Sequence, residues 1–188
     1  SDYDLDWVPR EELTEDQLLT IPDNCCGTYV DPAAATLNPV NDPASSATSF
    51  RTDTGLSQIN QNLMTIDGDI IVQQGYRTIV NDNMTTINRD DNTVIMDGNV
   101  EFREPGILLL GDSAFINNND SVNRVENAQY VLHNYGAHGN AASIIYSAES
   151  GLVSIENGEF SRCEPGSDFW KLRADTITLD QIANRGYA

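Results

Sequence analysis

The chain has 188 residues, room for one domain of ordinary size and an additional irregular segment. Acidic residues outnumber basic ones 29 to 10, a formal charge of −19 that repels phosphate backbones and excludes nucleic acid as a partner. Apolar residues make up 39%, a moderate core, and the longest apolar run, Ile107–Leu110, is strand-sized against the roughly 20 residues that cross a bilayer.

Residues 1–62 read as an N-terminal segment and linker. Thr14-Glu15-Asp16-Gln17 has the form of a capping box, Thr14 accepting from an early helical N–H while Gln17 reaches back. It predicts a short helix near 14–20, with Leu13, Leu18 and Leu19 as its apolar stripe and Pro22 beyond its end. No basic start followed by an apolar stretch opens the chain, so any export signal is expected to have been removed or to lie outside it. Residues 31–55 are rich in Pro, Ala, Ser, Thr, Asn and Asp, too poor in large apolar side chains to offset their ordering entropy, and are expected to be a linker.

From Leu63 to the end the chain reads as a second, all-β region. Ile70 and Val72 alternate with Ile71 and Gln73, and Val100 and Phe102 with Glu101 and Arg103, the period of strands with one face toward a core. Asn88–Asn92, Asn117–Asp120 and Asn157-Gly158 supply turns, because Asn, Asp and Gly tolerate left-handed backbone angles. Asp67-Gly68-Asp69 lacks the spaced ligands of a calcium loop and reads as another turn.

The strands recur. A shift of 30 residues carries Gly68-Asp69-Ile70-Ile71-Val72 onto Gly98-Asn99-Val100-Glu101-Phe102, Asp82 onto Asp112 and Asp90 onto Asp120. A second shift of 30 carries Val100 and Phe102 onto Tyr130 and Leu132, and Leu110–Ala114 onto Asn140–Ile144. A last copy, spaced by 33, ends at Arg173–Ile177. Periods of this length mark stacked units that lean on their neighbours, here two short strands with a bend between them. Ile70, Val72, Val100, Phe102, Tyr130 and Leu132 form one apolar set across the copies. Met84, Leu110, Ile116, Ile144, Tyr146, Ile177 and Leu179 form another. On bent, stacked strands these side chains either pack on one another as a core or line an open interior.

No catalytic constellation stands out. His133 and His138 fall in a Gly- and Asn-rich stretch and are expected to be solvated, and carboxylates are too abundant for any pair to be informative. No metal site and no cofactor are expected. Cys25, Cys26 and Cys163 are an odd count with a vicinal pair, which fits neither a closed disulfide scaffold nor a zinc knuckle and points to a thiol partner elsewhere. Cys163 stands beside a Pro-Gly bend, either half-buried under Trp170 or one half of a disulfide.

The stretch Glu156-Asn157-Gly158-Glu159-Phe160-Ser161-Arg162-Cys163-Glu164-Pro165-Gly166-Ser167-Asp168-Phe169-Trp170 closely resembles the Asn-Gly-x-Phe-x-x-Cys-x-Pro-Gly-Ser-Asp-x-Trp motif of the LptD family of outer-membrane LPS-assembly proteins. The repeats before it look like the OstA-type fold of the same transport system, so the resemblance spans roughly residues 60–188. It implies a bent antiparallel β-jellyroll over 63–188, at the periplasmic face of the outer membrane, that holds lipopolysaccharide acyl chains. The apolar sets then become a lipid groove formed by Ile70, Val72, Met84, Val100, Phe102, Leu110, Ile116, Tyr130, Leu132, Ile144 and Tyr146. The implied partners are lipopolysaccharide, an LptA-like bridge protein added by β-augmentation, and an LptE-like lipoprotein at a C-terminal barrel absent from this chain. Family cysteines near the N-terminus and in the motif bond to a late pair in that barrel; Cys163 matches the second, and Cys25 and Cys26 both fall where one is usual. A parallel β-helix that binds or cleaves polysaccharide, and a structural β-solenoid adhesin, are the competing readings.

Overall fold

A computed structural model of the chain describes residues 5–23, 25–32, 34, 45–53, 56–120, 122–147, 149–167, 170–180 and 185–188. The N-terminal segment contains β1 (Trp7–Pro9), α1 (Glu15–Leu18) and β2 (Gly27–Tyr29), with β1 and β2 paired antiparallel. The expected capping box closes α1: Gln17 N donates to Thr14 Oγ1 at 3.3 Å and Thr14 N to Gln17 Oε1 at 2.9 Å. The helix is one turn, too short to present a stripe. Leu13 is buried, but Leu19 is 86% exposed, contrary to the expected apolar face.

A 13-stranded sheet follows: β3 (Thr48–Thr52), β4 (Leu56–Gln58), β5 (Leu63–Asp67), β6 (Ile70–Gln74), β7 (Arg77–Asn81), β8 (Met84–Asn88), β9 (Thr93–Glu104), β10 (Ile107–Asn117), β11 (Val122–Leu132), β12 (Ala137–Ser147), β13 (Leu152–Phe160), β14 (Leu172–Asp180) and β15 (Arg185–Tyr187). The sheet begins before residue 63. β3 pairs with β6 and β4 with β5, so part of the expected linker is edge strand, its backbone donors and acceptors recruited by the ladder and its Thr48, Phe50 and Thr52 suited to a strand. The rest of that expectation, residues 33, 35–44, 54 and 55, lies outside the described residues.

Each long strand bends at its middle, so the sheet folds into two leaves. One leaf holds β4, β5, β8, β15 and the half-strands Thr93–Asp97, Ser113–Asn117, Val122–Glu126, Ser143–Ser147, Leu152–Glu156 and Thr176–Asp180. The other holds β3, β6, β7 and the remaining halves, from Val100–Glu104 to Leu172–Ala174. β5 with β6, and β7 with β8, are the same bent strands broken at the corner. All pairings named are antiparallel between chain neighbours or their split halves, which a parallel β-helix forbids.

The corner explains the repeat. Gly68 and Gly98, 30 residues apart, have φ of 96° and 98°, and Asn127 and Asn157, again 30 apart, have φ of 47° and 48°. Only residues that tolerate positive φ let a strand turn there without strain. A Cβ on Gly98 would also lie 2.5 Å from that of Asn83. The repeated aspartates staple the bend: Asp82 accepts from Asn99 N at 2.9 Å and Asn99 Nδ2 at 2.7 Å, and Asp112 accepts from Asn127 Nδ2 at 3.0 Å. At the outer turns Asn88 donates to Asp91 and Asn117 to Asp120, closing equivalent Asx-type bends.

Candidate functional site

The site is the apolar seam between the leaves. Antiparallel register aligns side chains of one face directly across each strand pair. On the first leaf this builds the ladder Ile66–Thr85–Met96–Ala114–Val125–Ile144–Ile155–Ile177. One step outward runs Met64–Ile87–Val94–Ile116–Asn123–Tyr146–Val153–Leu179. On the second leaf runs Phe50–Val72–Ile79–Phe102–Leu109–Tyr130–Gly139. Met96, Val100, Ala114, Val125, Tyr130, Ile144, Ile155 and Ile177 are buried in one contiguous cluster, with Val72, Ile79, Val94, Leu109, Leu132 and Phe160 packed against it from both leaves.

Nine of the eleven residues expected in the groove share this inner face: Ile70, Val72, Val100, Phe102, Ile116, Tyr130, Leu132, Ile144 and Tyr146. Two do not. Met84 stands opposite Asp67 and Asp97 on the outer face and is 40% exposed, because the alternation that puts Ile79 and Asn81 inside runs on unbroken to Thr85 and Ile87. Leu110 stands opposite Glu101 and Gln129 and is buried from outside, with Leu5, Tyr29, Leu108 and Val131. Leu109 takes the inner position instead. The run Ile107–Leu110 shows no alternation because this strand is covered on both faces, so period two carries no signal there. Ile66, Met96, Val125 and Ile155 were not among the expected groove residues, although the shift of 30 carries Ile66 onto Met96 and Val125 onto Ile155.

Polar atoms at the seam's closed corner are satisfied. Asn81, fully buried, donates through Nδ2 to the Asp97 and Asn99 carbonyls at 2.9 and 3.4 Å, and accepts from Thr85 Oγ1 at 3.2 Å. Tyr130 crosses the inner face to donate from its hydroxyl to the Glu159 carbonyl at 2.8 Å, and burial pushes its pKa up. Arg77 lies over the Phe102 ring with its Cζ 5.7 Å from the centroid and pairs with Glu104 at 3.1 Å.

The outer face of the second leaf is covered by the N-terminal strap, the segment running through β1 and β2. Leu5 and Tyr29, with Trp7 packed against them, lie on Leu108, Leu110 and Val131. Asp6, at φ 57°, accepts from Arg103 Nη1 at 2.6 Å and faces His133 Nε2 at 2.9 Å. Burial alone would raise the Asp6 pKa; the bonds from His133 and Arg103 outweigh it and hold the carboxyl below its ordinary value. Asp31 accepts from Gly106 N at 2.6 Å. The histidines expected to be solvated are thus structural: the His133 side chain is 4% exposed against Asp6, and His138 lies in β12 with its ring 5.5 Å from that of Tyr29. Burial and the nearby Lys171 lower the His138 pKa.

The three cysteines are free thiols, Cys26 exposed and Cys25 and Cys163 partly buried. The Tyr29 hydroxyl donates to the Cys163 carbonyl at 3.2 Å, while Arg10 holds the other pair through the Cys25 and Cys26 carbonyls. Trp170, 47% exposed, packs on Phe160. No group of three or more His, Cys, Asp or Glu able to hold a metal ion occurs among the described residues.

Comparison with known proteins agrees with this architecture. The family model described as LptA/(LptD N-terminal domain) LPS transport protein matches residues 51–185. The LPS-assembly protein LptD of Pseudomonas entomophila strain L48 is 34% identical over 186 residues, covering 98% of this chain and 19% of that protein. The LptD of Pseudomonas fluorescens strain Pf-5 is 33% identical over 191 residues, covering 100% of this chain and 20% of that protein. The chain therefore spans about a fifth of the length of the curated relatives it matches. LptH of Pseudomonas aeruginosa, the LptA-homologous periplasmic component of a lipopolysaccharide transport device, superposes with a TM-score of 0.51 at 16% identity, over 72% of this chain and 96% of its own. That likeness is one of fold. The chain belongs to the LptA/(LptD N-terminal domain) LPS transport protein family.

Proposed function

We propose that this chain is a periplasmic domain of an outer-membrane lipopolysaccharide assembly protein, carrying acyl chains in the seam between its two leaves toward a C-terminal β-barrel. The observation that carries the reading is the inner face itself: three apolar ladders run along the sheet, broken by few polar side chains. Each acyl CH₂ transferred from water is worth about 0.8 kcal/mol, so several chains are held without any basic site. The excess of 29 acidic over 10 basic residues fits a wall that leaves the anionic sugar in solvent.

The sheet ends supply the docking geometry. β3 forms one end, with exposed side chains, and β15 the other. An end strand offers unpaired backbone groups that a bridge protein of the LptA type extends by β-augmentation. An LptE-like lipoprotein would act at the barrel, and Cys163 with Cys25 or Cys26 would bond to barrel cysteines.

The test is a photo-crosslinking side chain at Phe102 or Leu132 on the inner face, and at Glu101 as the outward control, offered intact and de-acylated lipopolysaccharide. Adducts at Phe102 and Leu132 that require the acyl chains support the conduit. Equal reaction at Glu101, or none at the inner positions, refutes it.

A further inference from the structure

The inner face of the first leaf changes character from the corner to the mouth of the seam. Beside the corner, Met96, Ala114, Val125, Ile144, Ile155 and Ile177 are 2–8% exposed and pack as a core. One step outward, the row Met64–Ile87–Val94–Ile116–Asn123–Tyr146–Val153–Leu179 is only half-buried. A chain laid in the seam meets this mouth row, because the space behind it is already filled. On the second leaf the corresponding row includes Ile107 and Leu132, also half-buried.

Two side chains interrupt the apolar mouth row with hydrogen-bonding groups, Asn123 on β11 and Tyr146 on β12. They are direct cross-strand partners, so their Cβ atoms lie about 4.5–5.5 Å apart. Ile116 flanks Asn123 on its other side, and Val153 flanks Tyr146. Neither the Asn123 amide nor the Tyr146 hydroxyl has a hydrogen-bond partner among the described residues. Other polar groups of the inner face are bonded within the protein: Asn81 with Thr85, Tyr130 with the Glu159 carbonyl, and Arg77 with Glu104 at the opposite lip. A half-buried amide among apolar neighbours and without a bond costs stability, and a Leu or Val at 123 would simply continue the row.

An acylated amphiphile carries its own polar step at this level. Its chains belong in the seam and its head in solvent, so the carbonyl linkage that joins them lies at the mouth. We propose that Asn123 and Tyr146 are a hydrogen-bonding station for that linkage, the amide N–H and the phenol O–H donating to the acyl carbonyl while the chain runs between Ile116 and Leu132. The pair then makes the seam selective for carbonyl-linked chains over hydrocarbon of equal length joined by an ether. This inference rests on the conduit reading above and adds to it the contact that recognises the lipid.

The test measures binding of two probes by this chain: a glucoside with two ester-linked acyl chains, and its ether-linked dialkyl counterpart of the same chain length. The chain is expected to bind the ester at least ~5-fold more tightly, the worth of one neutral hydrogen bond. Asn123→Leu and Tyr146→Phe are each expected to shrink that ratio, and the double variant to bring it to about one, with affinity for the ether and the thermal melt unchanged. Equal affinity of the unaltered chain for the two probes overturns the station and leaves the conduit standing. So does an ester preference that survives in the double variant. Binding of neither probe removes the conduit reading and the station with it.

Discussion

Replacing Asp6 by Asn tests whether the N-terminal strap is part of the fold or a tethered accessory. Asn tolerates the φ of 57° at this position, so the substitution removes charge without adding backbone strain. Two short bonds change, from Arg103 Nη1 at 2.6 Å and with His133 at 2.9 Å, beside a longer one from Arg103 Nη2 at 3.4 Å. A hydrogen bond to a charged group contributes about 1.5–3 kcal/mol against about 1 for a neutral pair, so the loss over two bonds is about 2 kcal/mol. For a chain of 188 residues that lowers Tm by about 4–8 °C. The effect depends on pH. The folded-state pKa of Asp6 is lowered, so its stabilisation is fully present above the unfolded value near 3.8 and is lost as pH falls through the folded value. Thermal melts by circular dichroism at pH 7 and at pH 3 and below should show the two proteins converging in acid. If Asp6→Asn melts with wild type at pH 7 while proteolysis frees the strap, the strap is not coupled to the sheet and the reasoning fails.

Ile155→Ala, at the centre of the buried ladder, should cost about 2–5 kcal/mol, read as a lowered denaturation midpoint at unchanged m. Gly98→Ala places a Cβ against Asn83 at φ 98° and should cost about 1–3 kcal/mol in the same assay. Met84→Lys, on the outer face, should change stability by less than about 0.5 kcal/mol, while Val100→Lys, buried on the inner face, should leave little folded protein. If Met84→Lys is as damaging as Val100→Lys, the assignment of faces is wrong. Asn81→Ala removes the acceptor of the buried Thr85 hydroxyl and the side-chain donor to the Asp97 and Asn99 carbonyls, a loss of about 1–3 kcal/mol measurable by thermal melt.

The sequence by itself determined the strands, the corner and the periodicity. Alternation placed Ile70, Val72, Val100 and Phe102 on one face. The 30-residue recurrence of Gly68 onto Gly98 and Asp82 onto Asp112 located the bend, because positive φ and a short carboxylate staple are needs that few residues meet. Such local requirements are written residue by residue and survive without any knowledge of the partner strand. Tertiary structure decided what local rules cannot reach. Leu109 rather than Leu110 faces the seam because the strap covers the other side, and that cover comes from residues about a hundred positions away in sequence. His133 is buried rather than solvated for the same reason: its partner Asp6 is distant in the chain and adjacent in space. The Glu159 carbonyl of β13 accepts from the hydroxyl of Tyr130, two strands away, a contact that no spacing in the sequence encodes.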